Sequence, residues 1–283
     1  MVNIHEPGPF EGRLAQWPVL AVNGALEVRL AETDAEVAQA QRLRYRVFYE
    51  EMSAIPSPQM RAEGRDFDKF DDVCDHLLVV DRSVMGDDGQ PAVVGTYRLM
   101  RDVDAARAGG FYTASEYDIE KMLAAQPAGT RVVELGRSCI LKDYRVKSGS
   151  VQLLWKGIMA YVARFNIDLM FGVASFSGAD IESLAPALSY LHHFHSTPKE
   201  LGVRARPELY VEMNRMPKDQ IDQRAALHSL PPLVKAYVRS NCQIGEGAVV
   251  DQQFGTTDVL IYLPLAQMDP RWVKRFGLRA VSH

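Results

Sequence analysis

Three β-type segments in direct succession, at residues 76–81, 93–100 and 131–140, do most to narrow what this chain can fold into. Each is a short run rich in Val, Leu or Ile, closed off by turn formers, and no amphipathic helix of length separates them. A strand at 26–30 and a helix precede this run. After it the pattern alternates: helix 150–165, strand 169–176, helix 181–195, strand 209–213, helix 233–241 and strand 259–263. Consecutive strands followed by helix–strand alternation predict a mixed sheet with helices on both faces, in an α/β or α+β layered domain.

Helix signals are local. Thr33 followed by Glu36 forms a capping box, and Val37, Ala40, Leu43, Val47 and Phe48 then recur at helical spacing, enough for four to five turns. In 150–165, Val151, Leu154, Ile158, Tyr161 and Val162 share one face. Residues 1–24 hold three prolines and three glycines without periodicity and read as an extended arm. The domain proper is expected at 25–265, with a basic and aromatic tail at 266–283.

Composition limits the function classes. With 283 residues and 47% hydrophobic content, one domain with a sizeable core is expected. Lys and Arg total 32 against 36 Asp and Glu, a balance that offers nucleic acid no bulk attraction. No stretch nears the roughly 20 apolar residues of a membrane span, and the first residues lack the basic-then-apolar order of a secretion signal, so a cytoplasmic location is expected. Cys74, Cys139 and Cys242 are too scattered for a disulfide framework or a zinc knuckle. His192, His193 and His195 do not share a helical face, and no metal site is expected there.

Four local patterns carry candidate chemistry. Leu43-Arg-Tyr-Arg-Val-Phe48 spaces Arg44 and Phe48 four apart, on an amphipathic helix whose arginines either face water or line a cleft. Asp66, Asp68, Asp71 and Asp72 fall within seven residues. Such a cluster calls for a cation, as an ammonium or guanidinium site or as partners for Arg44 and Arg46, unless it is simply a solvated loop. Gly95-Thr-Tyr-Arg98-Leu and Glu134-Leu-Gly-Arg137 put arginine forks on two strands, suited to a carboxylate ligand or to a buried ion-pair network with Glu134 and Asp71. Tyr144-Arg145-Val-Lys-Ser148-Gly149-Ser150 leads straight into a helix, which makes either an anion site or an ordinary capped helix start.

Taken together and in order, these patterns resemble the acyl-homoserine-lactone synthases and the lyso-ornithine lipid synthases, both relatives of the GNAT acetyltransferases, over most of residues 26–265. Beyond residue 180, Leu188-Ser-Tyr-Leu-His-His-Phe-His195 and Pro231-Pro-Leu-Val-Lys-Ala-Tyr-Val resemble the ornithine-lipid branch. The resemblance implies a GNAT-like fold with a mixed, mostly antiparallel sheet, in which the strands 134–140 and 169–176 splay to admit the donor's pantetheine arm. It implies transfer of a (3-hydroxy)fatty acyl group from acyl carrier protein to the α-amino group of ornithine.

In that scheme Glu134 takes the proton of the acceptor amine, whose unperturbed pKa of about 7.7 to 8 demands only a modest base. Arg98 and Arg137 hold the acceptor carboxylate, with Arg44, Phe48, Asp68 and Asp71 completing the acceptor side. Ser138, Cys139, Ile140, Arg145, Ser148, Gly149 and Ser150 form the donor side. The coenzyme-A motif Arg-x-x-Gly-x-Gly/Ala is here Arg145-x-x-Ser148-Gly-Ser150, a departure that favours acyl carrier protein over coenzyme A. Lys142, Arg145, Lys147 and Lys156 would then meet the carrier's acidic surface. No cofactor or metal is expected. Cys139 has no His spacing that marks a nucleophile and reads as a small core residue. The segment Arg271-Trp-Val-Lys-Arg-Phe-Gly-Leu-Arg279 reads as a terminal helix or as a peripheral contact with the inner membrane surface. The rival readings are a homoserine-lactone synthase, an acyltransferase for another amino acid such as glycine, and a non-catalytic sensor of carrier protein or lipid.

Overall fold

The computed structural model describes residues 19–86, 89–145 and 149–276. Its strands are β1 (Ala21–Asn23), β2 (Leu26–Leu30), β3 (Asp75–Met85), β4 (Pro91–Arg101), β5 (Tyr117–Asp118), β6 (Val132–Ile140), β7 (Leu169–Ser177), β8 (Arg204–Ala205), β9 (Tyr210–Val211), β10 (Gln243–Asp251) and β11 (Thr256–Pro264). The helices are α1 (Asp34–Tyr45), α2 (Pro58–Glu63), α3 (Asp102–Ala108), α4 (Glu120–Ala124), α5 (Lys142–Arg145), α6 (Ser150–Phe165), α7 (Ile181–His195), α8 (Gln223–Ser229), α9 (Pro232–Arg239) and α10 (Pro270–Phe276). A π-helical turn, Arg46–Glu51, continues α1.

Two compact units divide the chain: Met1–Gly109 with Leu135–Phe165, and Gly110–Glu134 with Asn166–His283. In the first, β1 to β4 form an antiparallel meander, and β6 is the further neighbour of β4. The pleat of β3 sends alternate side chains to opposite faces. Leu78 and Val80 pack with Val37 and Ala40 of α1. On the other face Leu77, and Val28 of β2, meet α6 at Gly157. Helices thus cover both faces of this sheet, as the strand order predicts. The nine buried residues of α6 include Leu154, Ile158, Tyr161 and Val162, and each large apolar side chain so removed from water contributes about 1.5–3 kcal/mol.

Gly157 is there for close approach. A Cβ built on it would stand 2.3 Å from Cγ1 of Val28, well inside contact distance. Gly95 serves similarly, since its missing side chain leaves room for Val79 and Ile140. The capping box forms in part: the Thr33 hydroxyl accepts the Glu36 N–H at 3.3 Å, while the Glu36 carboxylate accepts the N–H of Glu32 at 2.7 Å.

In the second unit β7 runs parallel to the opening residues of β6, with Val132, Val133 and Glu134 registered on Leu169, Met170 and Phe171. β7, β11 and β10 follow as antiparallel neighbours, and β10 takes β8 in parallel and β9 in antiparallel. Tyr117, Phe171, Val249, Leu260 and Tyr262 centre its core.

The arm expected over 1–24 falls largely outside the described residues, but Ala21–Asn23 pairs with β2 as a strand. The tail from 266 contains α10, and residues 277–283 lie outside the description. β10 has no counterpart in the sequence reading, because its two glycines interrupt the apolar alternation. The expected strand 209–213 shrinks to the two residues of β9. Among the described residues no helix is long and apolar enough to cross a membrane.

Candidate active site

The first unit gathers Arg44, Arg98 and Arg137 with Asp66, Asp68 and Asp71. Arg44, on α1, is fully buried rather than on a wet face. Its Nε donates to Asp66 Oδ2 at 2.7 Å, and Nη2 makes a bifurcated contact with both Asp71 carboxylate oxygens at 2.8 and 2.9 Å. Arg98 stands opposite His76 in the β3–β4 ladder, on the α1 face of the sheet, and donates to Asp68 at 2.7 Å. Arg137 lies 3.3 Å from Asp68 and 3.4 Å from Asp66. The acidic run therefore meets three guanidiniums of its own chain, three charges against three.

These pairs fix charge states. Burial works to raise the Asp66 and Asp71 carboxyls, but Arg44 with Arg137, or with Arg98, outweighs it and holds both below the usual range. Burial lowers His76 to about 4, so the ring is neutral near pH 7, with Nε2 3.0 Å from the Asp71 carbonyl oxygen. Tyr49, on the π-helical turn, donates to Asp66 at 2.9 Å. Neither His76 nor Tyr49 stood among the sequence candidates. The position of His76 at the start of a strand next to the acidic run was the one available signal for it, and a π-turn leaves none.

Arg137 differs from its two partners. It is the more exposed guanidinium, at 13% of its side chain against 4% for Arg98, and its φ of +52° is rare for a non-glycine residue. Such a kink inside a strand re-aims the side chain and costs on the order of 1–3 kcal/mol, which surrounding structure must hold. Asp68 is also accessible, at 21%. Phe48 is half-buried against Leu43, Val47 and Cys139. Burial raises the Cys139 thiol to about 12, so it packs as a small apolar residue and is no thiolate nucleophile.

Glu134, which ends the first segment of the second unit, is buried. Its two oxygens accept the N–H groups of Tyr112 and Thr113 at 2.9 and 2.6 Å, at the start of the 3-10 turn Tyr112–Ser115. The carboxylate is thus fixed in place by backbone donors.

On the donor side, Ser138, Cys139 and Ile140 close β6, and Arg145 folds back so that Nε donates to the Ile140 carbonyl at 2.7 Å and Nη2 pairs with Glu51 at 2.5 Å. Gly149 takes a φ of +103°, and the space a side chain would fill is occupied by the Asn23 amide, 2.6 Å from an ideal Cβ. Ser150, first residue of α6, is 1% exposed and its hydroxyl has no hydrogen-bond partner. The N-terminal N–H groups of a 16-residue helix and that hydroxyl are groups that could hold an anion. Ser148 and Lys147 lie outside the described residues, while Lys142, Arg145 and Lys156 are exposed. In the histidine segment, His193 Nε2 lies 3.0 Å from the Met216 carbonyl and His195 Nε2 3.0 Å from the Tyr190 hydroxyl.

Residues 43–156, which span most of these side chains, match the family described as an acetyltransferase (GNAT) domain. The chain is 50% identical to the L-ornithine N(alpha)-acyltransferase of Rhizobium meliloti over 90% of this chain and 85% of that one. The chain belongs to the L-ornithine N(alpha)-acyltransferase family. The Brucella abortus member is 47% identical over 93% of this chain and 92% of its own, and the Agrobacterium fabrum member 48% over 90% and 86%. Family membership makes the chain an acyltransferase on a GNAT fold, as the paired strand motifs implied. Coverage of the relatives extends well past the GNAT match, so β7 to β11 belong to what the family shares.

Proposed function

We propose that this protein transfers a (3-hydroxy)fatty acyl group from acyl carrier protein to the α-amino group of L-ornithine, giving lyso-ornithine lipid. The observation that carries this reading is the 50% identity to an L-ornithine N(alpha)-acyltransferase over nearly the whole of both chains. The acceptor carboxylate is held by Arg137, the arginine with exposure and a re-aimed backbone, against the rigid base that Arg98, Arg44 and Asp71 provide. Asp68 faces the side-chain ammonium, and Phe48 supports this side from the π-turn. Glu134 takes the α-ammonium proton directly or through a water. The amine then attacks the thioester carbon, the C–S bond breaks, and the carrier's thiol leaves with a proton. Backbone N–H groups near Ser138, Cys139 and Ile140 polarise the carbonyl oxygen as charge develops on it.

The donor's phosphate lies at the start of α6, against Gly149, the Ser150 hydroxyl and the helix N–H groups, with Arg145 beside it and Ser148 adjoining in sequence. A carrier protein is favoured over coenzyme A by the altered motif and by the exposed Lys142, Arg145 and Lys156, which suit an acidic docking surface. The chemistry draws on no cofactor. The reaction takes place in the cytoplasm, with α10 resting on the inner membrane surface: Arg271, Lys274 and Arg275 sit beside Trp272 and Phe276, a mix suited to anionic headgroups.

Kinetics of two variants test the roles. Glu134→Gln should lower kcat/KM for ornithine by about 10²-fold or more near pH 7, with part of the loss recovered at higher pH as the amine deprotonates itself. Arg137→Lys should raise the ornithine KM about tenfold with a smaller change in kcat. A Glu134→Gln enzyme as fast as the parent, with its fold intact, would remove Glu134 as the base.

A further inference from the structure

In the second unit, Glu116, Asp251 and Asp258 each bring one carboxylate oxygen close together, the three oxygens lying within 4.8 Å of one another. Glu116 and Asp258 are buried, and Asp251 is half-buried at the β10–β11 turn. A fourth group shares the place. Thr256 stands directly opposite Asp251 in the β10–β11 ladder, and Asp258 follows two residues later, so the three side chains rise from one face of the hairpin. The Thr256 hydroxyl, carried on that same face beside Asp251 and Asp258, is 95% buried with a relative exposure of 5% and has no hydrogen-bond partner.

We propose that Glu116, Asp251, Asp258 and the Thr256 hydroxyl form a site for one hard divalent cation that braces the β10–β11 hairpin against the segment entering β5. The donors are all oxygen, the set that Ca²⁺ and Mg²⁺ prefer over zinc or copper. At a Ca–O distance of about 2.4 Å, two ligands on opposite sides of the ion are separated by about 4.8 Å, so three oxygens this close fit a single coordination sphere.

The surroundings hold the ligands in place. Asp251 Oδ1 accepts the N–H groups of Gln253 and Phe254 at 2.8 and 2.9 Å, which fixes that carboxylate. Tyr117, next to Glu116, reaches the carbonyls of Gly247 and Asp258 with its hydroxyl at 3.0 Å each, tying the Glu116 backbone to both strands of the hairpin. On the neighbouring strand β7, Ser175 and Ser177, which register on Asp258 and Thr256, are exposed. The site takes no part in acyl transfer and does not depend on the reading of the substrate.

The full-length protein, stripped with chelator, is titrated with CaCl₂ and with MgCl₂ by calorimetry and melted with and without each salt. One saturable site is expected, with Tm raised by about 5 °C at a hundred times Kd. Thr256→Val, which keeps shape and removes one donor, should weaken binding about tenfold. Asp258→Asn should weaken it at least 100-fold, and if that variant does not fold, Thr256→Val alone decides. The proposal fails if no stoichiometric binding appears below millimolar salt. It fails equally if Thr256→Val binds as the parent does, or if Tm follows pH alone, the sign of carboxyls sharing a proton instead of an ion.

Discussion

A guanidinium with no access to water is held only by what surrounds it, and Arg44 answers this with two carboxylates and a backbone carbonyl, all within 2.9 Å. Removing one partner of such a buried set costs far more than the intact set contributes, because a charge is left without water or counter-ion. The sequence supplied the members of this cluster but not their assignments. The spacing of the aspartates announced a need for cations, and only the fold reveals that α1, β4 and β6 bring those cations to them.

His76 gives the cluster a pH signature. Its folded-state pKa of about 4 lies below the ordinary 6.5 because burial disfavours the charged ring, so between those values the unfolded chain binds the extra proton. Stability from this group is complete above pH 6.5 and is lost as pH falls towards 4, an effect on the order of 3 kcal/mol. Urea melts from pH 7 to 4 should display this loss, and His76→Gln should flatten that part of the curve. An unchanged slope in the variant would assign the acid sensitivity to other groups.

At the scale of elements, the contact of α6 with β2 rests on the absence of a side chain at Gly157. Gly157→Ala would drive a methyl into Val28, and overpacking of this kind costs about 1–3 kcal/mol despite the gain in helix propensity. Val28→Ala opens a cavity by itself, yet it should restore part of the Gly157→Ala loss, a coupling that a double-mutant cycle by chemical denaturation measures. Strict additivity would place the strain elsewhere. Elements with a continuous signal were legible in the sequence: the 26–30 strand, the 150–165 helix and the 181–195 helix match β2, α6 and α7 in their bounds. The unread elements lack such a signal. β10 is broken by glycines, α3 is a seven-residue helix with aspartates in its first turn, and the π-turn after α1 differs from the α-helix by one residue per turn without any compositional cue.

At the scale of the whole molecule, the paired motifs around Arg98 and Arg137 carried the fold family because each answers a separate geometric need. Gly95 leaves room for Val79 and Ile140, Arg98 enters the ion cluster from the opposite face of β4, and Arg137 sits on a backbone kink in β6. The chemistry was less legible than the fold. A glutamate that receives two backbone N–H groups and one that takes a proton look the same in sequence, since both need a buried carboxylate at a strand position.

The central claim is the acceptor and the bond formed. Purified protein incubated with 3-hydroxyacyl carrier protein and an equimolar pool of amino acids, followed by mass spectrometry of the products, tests it most directly. The account predicts acyl-ornithine bearing the acyl group on the α-nitrogen, with release of free carrier thiol. An adduct on glycine, a homoserine lactone, or no turnover with carrier-protein and coenzyme-A donors alike would contradict it.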